Sequence, residues 1–155
     1  MSPHSGQPRP DMVVAVDGSA SSAAALQWAA HHAGAREWRL RVVTAFTPPH
    51  LPAELTTDAV DHIRAAEDHA RQRAREVIDA VLGVEAEVDH IVEAGPIEQV
   101  LRRAAEHAAM VVIGTRATTG WRAKLRGSLT NRITGSVACP VVSVTASGRT
   151  NSIAS

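Results

Sequence analysis

Met12-Val13-Val14-Ala15-Val16 is an unbroken apolar run halted by Asp17-Gly18, and a short run without alternation predicts a strand buried on both faces. Ser19 and Ser21 are both suitable N-caps for a helix reaching to about His32, with Ala25, Leu26, Ala29 and Ala33 on its inner face and Gly34 as its stop. Leu40 to Phe46 reads as the second strand, and the proline-bearing segment Thr47-Pro48-Pro49-His50-Leu51-Pro52 breaks regular structure. From about Asp58 to Leu82, the residues Val60, Ile63, Ala66, Ala70, Ala74, Val77 and Val81 recur every three or four positions among charges, the period of a long amphipathic helix.

Val84 to Val92 begins with alternation, Val84, Ala86 and Val88 against Glu85, Glu87 and Asp89, which predicts a half-exposed edge strand. Gly95-Pro96 then starts a helix striped by Ile97, Val100, Leu101, Ala104 and Ala108. Met110 to Thr115 is another buried strand, Ser128 to Val137 a helix with Leu129, Ile133 and Val137 on one side, and Val141 to Val144 a final strand. The polar starts and ends of the chain, 1–11 and 146–155, read as a disordered arm and a flexible tail around one domain, 12–145.

Five strands alternating with four helices imply an α/β fold, a single open parallel sheet with right-handed crossovers and helices on both faces. Ligands of such sheets bind beyond the C-terminal ends of the strands, where the winding reverses. Asp17, the residues after Val43 and the loop after Ile113 all fall at strand C-terminal ends, so the expected topology brings them to one rim.

The segment after Ile113, GTRATTGWRAKLRGS from Gly114 to Ser128, is glycine-bearing and basic and leads into a helix start, whose unpaired N–H groups and dipole favour anions. An ordinary strand-to-helix connection has the same outline. Arg116, Arg122, Lys124 and Arg126 are either phosphate partners or solvated loop charges. Ser128 is placed to donate to a phosphate oxygen, to cap the helix, or both. Asp17 likewise is placed to accept from an exocyclic amine or to cap the first helix.

Charge sharpens this picture. The net formal charge is zero, yet all 16 acidic residues lie at or before Glu106, and the six cations after it leave that part at +6 and the preceding part at −6. An anionic ligand near the C-terminal third is one meaning, and mutual complementation of acidic helices and a basic segment is the other. Without tyrosine, and with only Phe46 and three tryptophans, the chain lacks the stacking platforms expected of a nucleic-acid binder. The lone Cys139 precludes an internal disulfide and reads as a buried structural thiol, and no apolar run approaches membrane-spanning length, so a cytoplasmic location is expected. Eight scattered histidines show no metal-ligand spacing and read as surface or helix-face residues; neither a P-loop nor a dinucleotide fingerprint is present.

In order and spacing, VAVDGSASS, EAGPIEQVL, VVIGTRATTGWRAKLRGSLT and ACPVVSV resemble the universal stress protein family, from Met12 to Val144. The resemblance implies a Rossmann-like sheet of order 3-2-1-4-5 and a site for ATP, with or without Mg2+, or for AMP or cyclic AMP. A motif G-x2-G-x9-G-[ST] would cradle the phosphates, with Gly114, Gly127 and Ser128 at matching positions. Asp17 would meet the adenine, backbone near Ala45 would complete the base pocket, and Thr130 matches a hydroxyl residue just inside the helix. The implied cofactor-binding set also takes in Arg116, Ala117, Gly120 and Leu129 from the same segment. At the motif's second glycine stands Ala117, whose Cβ costs about 1–2 kcal/mol if the site requires a left-handed backbone; Gly120 supplies another flexible point.

The expected function is that of a nucleotide-dependent binding and regulatory protein of the stress response, without catalytic residues. The alternatives are a nucleotide-free interaction protein, which Ala117 motivates, and a slow ATP hydrolase, which only the resemblance motivates. An apolar strand at a sheet edge invites pairing, so a homodimer through Val141 to Val144 is expected, as in many members of the resembling family.

Overall fold

The computed structural model describes residues 8–50, 56–115 and 128–153. The chain runs β1 (Asp11–Ala15), α1 (Ala20–Arg36), β2 (Arg39–Phe46), α2 (Thr57–Leu82), β3 (Asp89–Ala94), α3 (Ile97–Ala104), β4 (Ala108–Thr115), α4 (Ser128–Thr134), β5 (Val141–Thr145) and β6 (Thr150–Ile153). The strands form one sheet of order β3-β2-β1-β4-β5-β6. All neighbouring pairs are parallel except β5 and β6, which run antiparallel.

The unbroken apolar runs are explained by burial on both faces. Met12, Val14, Val42, Val112 and Val144 pack with Leu26, Ala29 and Ile78 under α1 and α2. Their sequence neighbours Val13, Val43, Val111, Ile113 and Val141 pack on the opposite face with Leu101 and Ile133 of α3 and α4. Cys139 is buried in this second layer, and its burial pushes the thiol pKa up.

Several assignments differ from the sequence reading, for local reasons in the following cases. Gly34 lies inside α1, which ends only where Glu37 takes a left-handed backbone with φ 56°. Residues 84–88 are not a strand: Gly83 at φ 96° turns the chain, Ala86 N–H donates to the Gly83 carbonyl at 3.1 Å, and Val84 is 73% exposed. The edge strand starts at Asp89, and the alternation before it belongs to a loop. Val60, assigned to the inner stripe of α2, is 44% exposed, and the buried residues of that helix are Ala59, Ala74 and Ile78.

The ends of the domain are also corrected. Asp11, expected in the arm, opens β1 and is clamped by Arg39 at 2.7 Å and Arg41 at 3.3 Å. Within the expected tail, a turn at Gly148 (φ 82°) returns the chain as β6, with Thr145 N–H donating to the Arg149 carbonyl at 2.9 Å. The sheet therefore has six strands, and β5 is paired on both sides, by β4 and β6. Val141 to Val144 is not an open edge in this arrangement.

Candidate functional site

Because β1, β2 and β4 are parallel, their C-terminal ends share one rim, and Asp17, Ala45 and Gly114 stand at or just beyond those ends. Asp17 shapes the β1–α1 turn: its Oδ1 accepts from Ser19 N–H at 2.9 Å. The N-cap of α1 is Ser19, whose Oγ accepts from Ser22 N–H at 3.2 Å, so capping is not the role of Asp17. Gly18 follows at φ 92°, a region that favours glycine. A Cβ there would lie 3.2 Å from Arg73 Nε, which places the α2 arginine against the turn that bears Asp17.

At β2 the ladder to β1 ends in an unusual way. Val16 N–H donates to the Val43 carbonyl at 3.0 Å, so Val43 turns its polar backbone toward β1. In a parallel ladder alternate residues face the same neighbour, which makes Ala45 the next to face β1. The Val16 carbonyl instead accepts from the Thr44 hydroxyl at 2.8 Å. Ala45 thus presents its N–H and C=O beyond the end of β1, next to Asp17. Thr44 Oγ1 is also 2.9 Å from His90 Nε2 on β3.

Gly114 is required by packing. A Cβ on it would sit 2.5 Å from the Ser21 carbonyl oxygen and 2.7 Å from Ser22 N, so its bare Cα lets the first turn of α1 rest on the end of β4. α4 starts at Ser128, with Leu129 next along it; Thr130 is buried and its carbonyl accepts from Thr134 Oγ1 at 2.7 Å. Arg116, Ala117, Gly120 and Gly127 lie outside the described residues. Of the cations after Glu106, Arg132 pairs with Glu98 on α3 at 3.6 Å, a case of the acidic and basic parts complementing each other.

His90 and Arg73 were not singled out from the sequence. His90 departs from the surface or helix-face reading given to the histidines, being half-buried in β3; burial first, then Arg71 and Arg75, lower its pKa, and Asp89 opposes them. The available signal was its place in an edge strand, which faces Arg71 and Arg75 of α2. No described helix is long and apolar enough to cross a membrane, and no group of three or more potential metal ligands occurs among the described residues.

The profile of the universal stress protein family matches residues 9–145. Universal stress protein Rv2028c of Mycobacterium tuberculosis is 30% identical over 135 residues, covering 87% of this chain and 48% of the relative. The chain thus spans about half the length of that relative. Universal stress protein YxiE of Bacillus subtilis is 26% identical over 149 residues, covering 86% of this chain and 97% of its own. Among solved structures, a universal stress protein in complex with cAMP superposes with a TM-score of 0.56 at 22% identity, covering 90% of this chain and 99% of the other. A universal stress protein family protein from Arabidopsis thaliana with AMP bound gives 0.58 at 13% identity, covering 88% and 91%. These likenesses agree with the sheet order and with the match along nearly the whole chain: the protein belongs to the universal stress protein family.

Proposed function

We propose that this protein binds an adenine nucleotide at the rim where β1, β2 and β4 end, and acts in the stress response as a nucleotide-dependent binding protein. The observation that carries the reading is the end of the β1–β2 ladder at Val16, whose carbonyl goes to Thr44 Oγ1, one residue before Asp17 on one chain segment and Ala45 on the other. A carboxylate acceptor beside an N–H donor and a C=O acceptor complements the edge of adenine, which offers an exocyclic amine and ring nitrogens. The cAMP and AMP complexes of related structures support the same ligand class. ATP, with or without Mg2+, belongs to that class, and Arg73 adds a cation at the rim on the Asp17 side.

In this reading the protein is a binder and not an enzyme, and it works in the cytoplasm. Calorimetric titration with ATP, ADP, AMP and cyclic AMP tests it. Micromolar to low-millimolar binding of one of them is the expected result, and no heat with any of them overturns it.

Ala117 favours a second reading, a nucleotide-free member acting through protein contacts. An Ala117→Gly variant that gains affinity which the parent lacks selects it. Slow hydrolysis is tested separately, by phosphate release against a buffer control.

Assembly as a homodimer through Val141 to Val144 requires β6 to leave β5 first, since β6 holds that side through Val141 to Val144 in register with Ile153 to Thr150.

A further inference from the structure

We infer that Thr44 and His90 are positioning residues for the base end of the site, holding the Val16 carbonyl off the β1–β2 ladder so that Ala45 keeps its N–H and C=O open to a heterocycle. The inference rests on the nucleotide reading above and assigns it two residues that do not touch the ligand. Val16 N–H makes the last rung, to the Val43 carbonyl at 3.0 Å. The following rung would join the Val16 carbonyl to Ala45 N–H. Thr44 Oγ1 takes that carbonyl at 2.8 Å from a side chain only 2% exposed.

A hydroxyl has one proton. With that proton on the Val16 carbonyl, Thr44 Oγ1 faces His90 Nε2 at 2.9 Å as an acceptor, so Nε2 carries the imidazole proton. His90 thereby fixes the rotor of Thr44 from the neighbouring strand. It lies on β3 opposite Val42, under the α1 and α2 layer, and the charges facing it are Arg71 and Arg75 from α2 and Asp89 on its own strand. The chain of donors runs in one direction, from β3 through β2 to the Val16 carbonyl, just past β1 and before Asp17. Removing the hydroxyl frees that carbonyl for Ala45, and the ladder lengthens by one rung into the base pocket.

Four variants, with measurements of amide exchange, nucleotide affinity and the His90 tautomer, test this. Thr44→Val keeps the branched shape without the hydroxyl, Thr44→Ser keeps the hydroxyl, His90→Phe removes the donor, and His90→Gln retains one. The expected result for Thr44→Val is slower hydrogen exchange at the Ala45 amide together with a loss of about tenfold in adenine-nucleotide affinity, the scale of one hydrogen bond. Thr44→Ser and His90→Gln stay within about threefold of the parent, and His90→Phe follows Thr44→Val in direction.

A purely structural role would lower stability in Thr44→Val while leaving Ala45 exchange and affinity unchanged, and that outcome overturns the inference. Nitrogen NMR of the parent reads the His90 tautomer directly, and a proton on Nδ1 alone also overturns it, even if a variant fails to fold. If the parent binds no adenine nucleotide, the functional reading falls; the exchange and tautomer measurements still decide whether Thr44 and His90 hold the rung open.

Discussion

Gly114 and Ser21 meet backbone to backbone, so close that a single methyl group on Gly114 would reach within 2.5 Å of the Ser21 carbonyl oxygen. The glycine that begins the basic segment is therefore needed by the fold before any ligand arrives. Gly114→Ala is expected to destabilise the protein by about 1–3 kcal/mol, the range for forced overpacking against atoms that cannot yield. Urea unfolding without nucleotide checks it. An unchanged midpoint would return Gly114 to a purely ligand-facing role.

Helix α1 carries its glycine three residues ahead of the position that needs one. Gly34 is helical and a Cβ there meets nothing within 4 Å, whereas Glu37 holds the left-handed cap at φ 56°. Gly34→Ala is expected to stabilise by about 0.5–1 kcal/mol through backbone entropy. Glu37→Gly relieves the Cβ penalty of about 1–2 kcal/mol, offset in part by glycine's own entropy. Thermal unfolding of the two single variants measures each, and a lower melting temperature for Gly34→Ala would contradict the helix boundary.

Protonation of His90 opposes folding. Its folded-state pKa lies below the ordinary 6.5, chiefly through burial and then through Arg71 and Arg75. The unfolded chain thus binds the proton more readily, and stability present above 6.5 is lost as pH falls from there toward the lowered folded value. His32 adds in the same sense, lowered by burial, His31 and Arg36. Urea midpoints are expected to fall between about pH 7.5 and pH 5 and to fall less in His90→Gln. Parallel pH curves for the two proteins would exclude His90 as a source.

Removing the chain after Ala146 deletes β6 and exposes the β5 edge, a row of unpaired backbone groups on a buried apolar strand. The shortened protein is expected to dimerise by light scattering at concentrations where the full chain has a smaller mass. Equal masses for the two chains would show that β6 does not control that edge.

Asp17→Ala removes the acceptor beside Ala45, and a loss of adenine-nucleotide affinity of about tenfold or more is expected by calorimetry. The turn itself retains Gly18 and the Ser19 cap, so circular dichroism should be unchanged. Unaltered affinity would remove Asp17 from the base site.

The apolar runs of β1, β2, β4 and β5 were legible because strands buried on both faces leave nothing else for so many aliphatic residues to do. The parallel direction of the strands, and with it a rim taking in Asp17 and the residues after Val43 and Ile113, followed from alternation of strands and helices, whereas the sheet order and the choice of Ala45 came from the family resemblance. What escaped depends on backbone geometry that composition does not encode. Residues 84–88 alternate as a strand would, yet Gly83 has already turned the chain. β6 is short and polar, and its only advance sign was Ser147-Gly148, a turn pair between two extended stretches. Thr44 and His90 escaped for a different reason: a hydroxyl closing a ladder, and a histidine orienting it, show only when three strands are side by side. The basic segment expected to meet phosphates, Arg116 to Gly127, lies outside the described residues.

β6 also decides where the molecule can be held. It runs back along β5 until Ile153 stands beside Val141, at the opposite end of the sheet from Asp17 and Ala45. Asp11 opens β1 at that same end. Both tethering points of the described chain therefore leave by the back, so an affinity tag, a surface linkage or a fused second unit at either one leaves the rim of Asp17 and Ala45 facing outward.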